Sequence, residues 1–113
     1  MAPSYEATLV KVIDGDSLRL KVNLGFNLEG TFDFQLQGLD APEVVGKRSR
    51  DGKETKKQLI EMLRGAYGIV VRPNGLQTGA GRWWAYVDVV DIGGVDGFCV
   101  NAKLLSLGLA APR

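Results

Sequence analysis

The chain of 113 residues contains no histidine, and that absence removes a large block of chemistry. Ser-His and Cys-His hydrolases, His-ligated zinc sites and imidazole general bases are all excluded. A single cysteine, Cys99, cannot form an internal disulfide. It lies in the apolar run Phe98-Cys99-Val100, where a buried, inert thiol is expected rather than a nucleophile. No apolar run approaches the roughly 20 residues a membrane helix needs. Met1-Ala2-Pro3-Ser4 leads straight into a strand-like segment, so no signal peptide is expected, and the compartment stays open. Charge of one sign is also lacking. The formal net charge is +1, so the whole molecule exerts no strong pull on polyanions. Any hydrolytic chemistry on this chain must run on carboxylates and arginines, with or without a hard metal ion.

The length predicts one domain over residues 1–113 with a single core, and 45% hydrophobic content fits a globular chain. Tyr5 to Ile13 is rich in β-branched and apolar residues and reads as a strand. After the turn chemistry of Asp14-Gly15, Leu18, Leu20 and Val22 alternate with Arg19, Lys21 and Asn23, the period of a half-buried strand. Asn27 to Gly30 reads as a turn. A third strand follows, with Phe32, Phe34 and Leu36 on one face and Asp33, Gln35 and Gln37 on the polar one.

A helix comes next. Asp51 with Glu54 three residues on resembles a capping box, and Gly65 is a plausible stop. Thr55, Leu59, Met62 and Leu63 share one helical face, leaving Lys53, Lys56 and Lys57 towards solvent. Ile69 to Arg72 reads as a short strand ended by Pro73-Asn74-Gly75. A glycine-rich loop, Gly75 to Gly81, leads into a strand from Trp83 to Val90. Gly93-Gly94 suggests a hairpin back through Val95 to Val100. Asn101 is placed to cap a short helix through Leu107, stopped by Gly108. The pattern predicts a mainly β (α+β) fold: a small five-stranded OB-type barrel with one inserted helix and one short C-terminal helix.

Three fragments carry candidate chemistry. Asp14-Gly15-Asp16, taken alone, reads more readily as a hairpin turn. Asp40-Ala41-Pro42-Glu43 alone is equally a polar loop or a helix entry, and in Gly81-Arg82 the glycine simply gives a bend into a strand. Together they bring acidic groups and an arginine from distant segments to strand ends, where a small barrel builds sites from loops. Two carboxylates from different loops can hold a hard cation such as Ca²⁺, with carbonyl and water oxygens completing the shell. A third can position or deprotonate water, and an arginine can clamp a phosphoryl oxygen. A basic segment, with Lys47, Arg48, Arg50, Lys53, Lys56 and Lys57 against Asp51 and Glu54, reads either as a solvated helix face or as a phosphate-tracking patch. Of the pair Trp83-Trp84, at least one is expected in the core, because neighbours on a strand point to opposite faces.

Val12-Ile13-Asp14-Gly15-Asp16-Ser17-Leu18, Leu36 to Glu43, and Gly81-Arg82-Trp83-Trp84-Ala85-Tyr86-Val87 resemble, in order, the three motifs of the thermonuclease (staphylococcal nuclease-like) family. Val100-Asn101, Leu104-Leu105 and Gly108-Leu109-Ala110 resemble its closing helix and exit, so the resemblance spans nearly the whole chain. It implies an OB-type barrel and a Ca²⁺-dependent activity on DNA and RNA. By the same resemblance Asp16 and Asp40 are metal ligands, Ala41 offers its backbone carbonyl to the ion, and Asp14 stands near it or reaches it through water. Glu43 becomes the general base and Arg82 the electrostatic catalyst. Apart from the resemblance, the charge pattern makes Lys47, Arg48, Arg50 and Lys53 the candidate nucleic-acid contacts.

The chain departs from the family pattern at Gln35, where the family has the second arginine of a phosphate clamp. An amide can donate one hydrogen bond but carries no charge and no guanidinium fork. Ala80 replaces a usual tyrosine before Gly-Arg, and the family commonly continues past the exit segment. The implied reading is a nuclease, weakened by Gln35, that acts as a monomer on single-stranded DNA and/or RNA with no membrane partner. A catalytically degenerate OB-fold nucleic-acid-binding module is the alternative, and a protein-interaction barrel using the tryptophans is a third.

Overall fold

The computed structural model describes residues 3–41, 49–90 and 97–112, with residues 49–51 described by their backbone alone. In chain order the elements are β1 (Tyr5–Asp14), β2 (Ser17–Gly25), β3 (Leu28–Leu36), β4 (Leu39–Asp40), α1 (Ser49–Arg64), β5 (Gly68–Gln77), β6 (Trp83–Val90), β7 (Phe98–Cys99), α2 (Val100–Ser106) and β8 (Ala111–Pro112). The main sheet runs β3-β2-β1-β5-β6-β7, and a further parallel pairing of β3 with β6 closes its first five strands into a barrel. The fold is therefore the small OB-type barrel with helices that the sequence predicts. The two-residue β7 extends the sheet on the outer edge of β6.

Alternation decides which side chains fill the barrel. On β2, Leu18, Leu20 and Val22 are buried while Lys21 and Asn23 face solvent. Phe34 and Leu36 of β3, Ile69 and Val71 of β5, and Ala85, Val87 and Val89 of β6 join them in one core. The helix α1 covers this core with Thr55, Leu59 and Leu63, all buried as its periodicity predicts, and leaves Lys53 and Lys57 exposed. From α2, Val100 and Leu104 are fully buried.

Several boundaries differ from the sequence reading, each for a local reason. The turn between β2 and β3 lies at Gly25–Asn27 rather than at Asn27–Gly30. The Asn23 side chain accepts the Gly25 N–H at 2.9 Å and starts the reversal early. Gly25, Phe26 and Asn27 then all take positive φ, of 87°, 55° and 62°. The strand β5 runs on through Pro73 to Gln77 instead of ending at Arg72. A register shift between Pro73 and Gln77 absorbs the missing proline N–H. The helix α1 is already formed at Ser49, so Asp51 lies inside its first turn and is not the cap. Its end at Arg64, before Gly65, is where the sequence places it. The Gly93-Gly94 hairpin lies outside the described residues.

Asn101 is not a helix cap either. Cys99 occupies the cap position of α2, and Asn101, buried inside the helix, reaches across to three backbone groups. Its Nδ2 donates to the carbonyls of Gln37 at 2.8 Å and Ala85 at 3.2 Å, and its Oδ1 accepts the Val87 N–H at 3.0 Å. One side chain thus pins α2 to β6 and to the exit of β3. The helix stop at Gly108, with φ of 71°, is as expected.

At one end of the barrel Tyr5, Leu24, Phe32, Phe34, Pro73 and Trp83 frame an apolar cavity of about 490 Å³. Trp83 packs against the core from this mouth, half-buried, so one tryptophan of the pair does turn inward. Neither described helix is long and apolar enough to cross a membrane.

Candidate active site

The turn from β1 to β2, the exit of β3 and the entry of β6 bring together the acidic and cationic residues that the sequence singles out. A bulge between Val12 and Asp14 bends the end of β1, and Asp14 pairs with Ser17 across the turn. Gly15 is required there by contact rather than by φ. A Cβ at that position would lie 2.6 Å from Cγ2 of Thr55 and 3.1 Å from Cβ of Ala41. The missing side chain lets α1 and the segment after β4 close onto the turn. Thr55 is fixed in turn by donating its hydroxyl to the Leu109 carbonyl at 2.8 Å.

Asp16 is the centre of the cluster, with only 9% of its surface exposed. Its carbonyl accepts the Leu36 N–H at 2.7 Å, which ties the start of β2 to the end of β3. Its carboxylate accepts the Ala41 N–H at 3.2 Å and is also hydrogen-bonded by the Gln35 side chain. Burial nevertheless pushes the Asp16 carboxyl above its ordinary value of 3.8, and the charges of Asp40 and Asp14 push it further. The two hydrogen bonds oppose that rise without cancelling it. Asp14, half-buried, lies within 3.5 Å of the Ser17 hydroxyl. Asp40 is exposed on β4, whose backbone pairs with β8, Asp40 opposite Ala111. The C-terminal strand therefore holds the segment that presents Asp40.

Gln35 does not lie on an open polar face. It is 8% exposed, because β3 is flanked by β2 on one side and β6 on the other, with Gln35 opposite both Ser17 and Trp84. Its Oε1 is 3.5 Å from Nη1 of Arg82, while its amide bonds Asp16. Gln35 is thus a neutral bridge between the arginine and the buried carboxylate. Arg82 is also felt by Asp33, whose carboxyl is held below its ordinary value mainly by the hydrogen bond from Arg19, with Arg82 contributing charge.

Arg82 is set by a turn that the sequence reading did not single out. The Thr78 hydroxyl accepts the N–H groups of Ala80 at 3.1 Å and Arg82 at 3.2 Å, and the Thr78 N–H donates to the Arg82 carbonyl at 2.7 Å. Gly81 takes φ of 83° to complete it. The visible signal is Thr78-Gly79-Ala80-Gly81, a hydroxyl followed by small residues, which favours such a turn. Ala80 itself is exposed, with no side chain to offer a ligand.

Asp14, Asp16, Gln35, Asp40, Ala41 and Arg82 are therefore brought together. Ala41 donates its N–H to Asp16. Among the described residues no three carboxylate or thiol groups close into a ready cation cage. Asp40 and Asp14 act electrostatically on Asp16, and an ion held there would take several oxygens from water or backbone. Glu43, Lys47 and Arg48 lie outside the described residues. Arg50 lies in the first turn of α1 with its side chain outside the description, and Lys53 is exposed on that helix. No family model matches the chain, and no curated protein matches it.

Proposed function

We propose that the chain is a Ca²⁺-dependent phosphodiesterase acting on DNA and/or RNA, weakened by Gln35. The observation that carries this reading is the buried Asp16 carboxyl, raised by burial and crowded by Asp40 and Asp14, with Arg82 one side chain away. The negative charge of Asp16 with Asp40 and Asp14 in its electrostatic reach would repel a phosphate unless a cation offset it. The donor set is all oxygen, which suits a hard divalent ion: Asp16, Asp40 and the Ala41 carbonyl would hold it, with Asp14 reaching it through water. When bound, Ca²⁺ would neutralise charge on a phosphoryl oxygen.

The chain's own residues supply the rest. Arg82 would take a second phosphoryl oxygen through charged hydrogen bonds, which strengthen as charge develops on that oxygen. Glu43, which follows β4 in sequence, would accept the proton of the attacking water, a role that falls to a carboxylate in a chain without histidine. Gln35 would hold Arg82 in reach of the carboxylates but add no positive charge. Loss of one charged donor costs on the order of 3 kcal/mol of transition-state stabilisation, about a hundredfold in rate. The residues fall on the turn between the first two barrel strands and the loop before the last. By analogy, these are the positions where OB barrels bind oligonucleotides.

A second reading is favoured by Gln35 itself: a barrel that binds nucleic acid but no longer cleaves it. The two readings separate in one assay. Denatured DNA and RNA are incubated with the protein in Ca²⁺ and in chelator. Ca²⁺-dependent cleavage supports the enzyme, and binding without cleavage supports the module.

A further inference from the structure

Between β1 and α1 runs a groove of about 690 Å³ whose chemistry differs from that of the acidic site. Lys11, Lys56 and Arg64 line it, and no carboxylate is among its lining residues. Its floor is apolar, built from Val10, Ile60 and Leu63. Tyr67, 73% exposed, stands at its far end. A chain with a net charge of +1 has thus gathered three cations along one concavity, with no carboxylate among its described lining residues.

The groove also has a direction. Thr55, near the start of α1, packs on Gly15 just beyond the end of β1, while Ala7 near the start of β1 pairs with Ile69 just beyond α1. Helix and strand are therefore antiparallel. One end of the groove, at Val12 and Lys56, lies two residues before Asp14 and one after Thr55, which packs on Gly15. From there it runs back along α1 to Arg64 and Tyr67. Lys56 and Arg64 are separated by about 12 Å of helical rise, far enough for the two side chains to meet different phosphates of one strand.

We propose that this groove is a track for single-stranded nucleic acid leading into the carboxylate site, with Lys11, Lys56 and Arg64 on phosphates and Tyr67 stacking a base. The partner class rests on the phosphodiesterase reading above. Lysine and arginine at intervals along a concave wall give the sequence-independent affinity that tracks a backbone. An apolar floor and an exposed ring accept base faces, which an acidic peptide does not offer. The carboxylate end supplies polarity: a strand held along the wall delivers its phosphodiester to the cluster at Asp16. Lys53 and Lys57 do not line the groove, so among the described basic side chains of α1 Lys56 and Arg64 belong to the track.

The test is fluorescence anisotropy with a labelled 12-nucleotide single-stranded DNA, in chelator so that no turnover occurs. The variants are Lys11→Gln/Arg64→Gln, Tyr67→Ala, and a control of equal charge change, Lys21→Gln/Lys103→Gln. All are solvent-exposed positions, and thermal melts check that each variant folds. Removing two phosphate contacts should make the slope of log affinity against log salt shallower by about 1.4, with at least tenfold weaker binding at low salt. The control pair should leave the slope in place. Tyr67→Ala should weaken binding about fivefold to a hundredfold, the range for one base–aromatic stack, without changing the slope. Equal losses in the groove pair and the control would reduce the effect to net charge and overturn the track. Displacement of the oligonucleotide by poly-glutamate at equal charge concentration would overturn the nucleic-acid assignment. Cleavage is not part of this readout. Groove-dependent binding without any cleavage would sink the phosphodiesterase reading alone, and cleavage with binding indifferent to Lys11 and Arg64 would sink the track alone.

Discussion

Arg82 donates from Nη1 to Oε1 of Gln35 at 3.5 Å across 47 residues of sequence. The other end of the same amide bonds Asp16, so the arginine and the buried carboxylate are joined through a neutral linker. An arginine in place of Gln35 would pair with Asp16 and lie close to Arg82, and the two guanidinium groups would both need an anion between them. A phosphate is such an anion.

Gln35→Arg is therefore expected to raise kcat in Ca²⁺ by about tenfold to a thousandfold, the range for one charged oxyanion donor. The larger side chain at a position only 8% exposed should also lower the Tm. The gain should vanish in an Arg82→Ala or Glu43→Ala background, as measured by initial rates of oligonucleotide cleavage. A folded Gln35→Arg protein with no cleavage would mean that the site has decayed beyond one residue, in favour of the binding module.

Calcium is expected to raise the Tm by several degrees through linkage, and Asp40→Ala to abolish that shift. Its pH dependence follows from Asp16. The folded-state carboxyl titrates above 3.8, so the folded protein binds this proton more tightly than the unfolded chain. Without metal, this group's contribution to stability is fully present below 3.8 and is lost as pH rises through the raised value. The calcium-induced shift should grow over that same interval, because proton and cation compete for one carboxylate. Asp14→Asn, which removes one of the charges raising Asp16, should move the interval to lower pH. Melting curves across the acid range check both statements, and a calcium shift that is flat with pH would remove Asp16 from the ligand set.

Asn101→Leu should cost about 2–4 kcal/mol, because two backbone carbonyls and one N–H lose the amide that bonds them inside the fold. For a domain of this size that is a Tm loss on the order of 10–20 °C. A loss below about 1 kcal/mol by denaturant titration would show that water replaces the amide.

Gly15→Ala should destabilise by about 1–3 kcal/mol through overpacking against Thr55. Thr55→Ser removes the Cγ2 that the new methyl meets and keeps the hydroxyl bonded to Leu109. The double variant should therefore recover most of the loss. If it recovers none, the contact with Ala41, not Thr55, governs the turn.

Much of the barrel was legible in the sequence because its signals are local. The alternation of Leu18, Leu20 and Val22 fixes the inward face of β2, and the spacing of Thr55, Leu59 and Leu63 fixes that of α1. What was not legible depends on pairing across distance. Gln35 alternates with apolar residues and so reads as solvent-facing, but the parallel β3–β6 closure buries its face as well. The pairing of β4 with β8 joins two-residue segments more than 70 positions apart, too short to carry a period. Asn101 has the chemistry of a cap, and only the tertiary approach of Gln37, Ala85 and Val87 shows its actual partners. The candidate site was legible as residue types, Asp14, Asp16, Asp40 and Arg82, whereas its wiring through Gln35 and the Thr78 turn was not.

The measurement that bears most directly on this account is the initial rate of cleavage of a single-stranded oligonucleotide by the wild-type chain, Asp16→Asn and Arg82→Ala, each in Ca²⁺ and in excess chelator. The account expects slow but measurable wild-type cleavage in Ca²⁺, none in chelator, and a loss of at least about a hundredfold in either variant. Wild-type cleavage that survives the chelator, or that is unchanged by both substitutions, would contradict it.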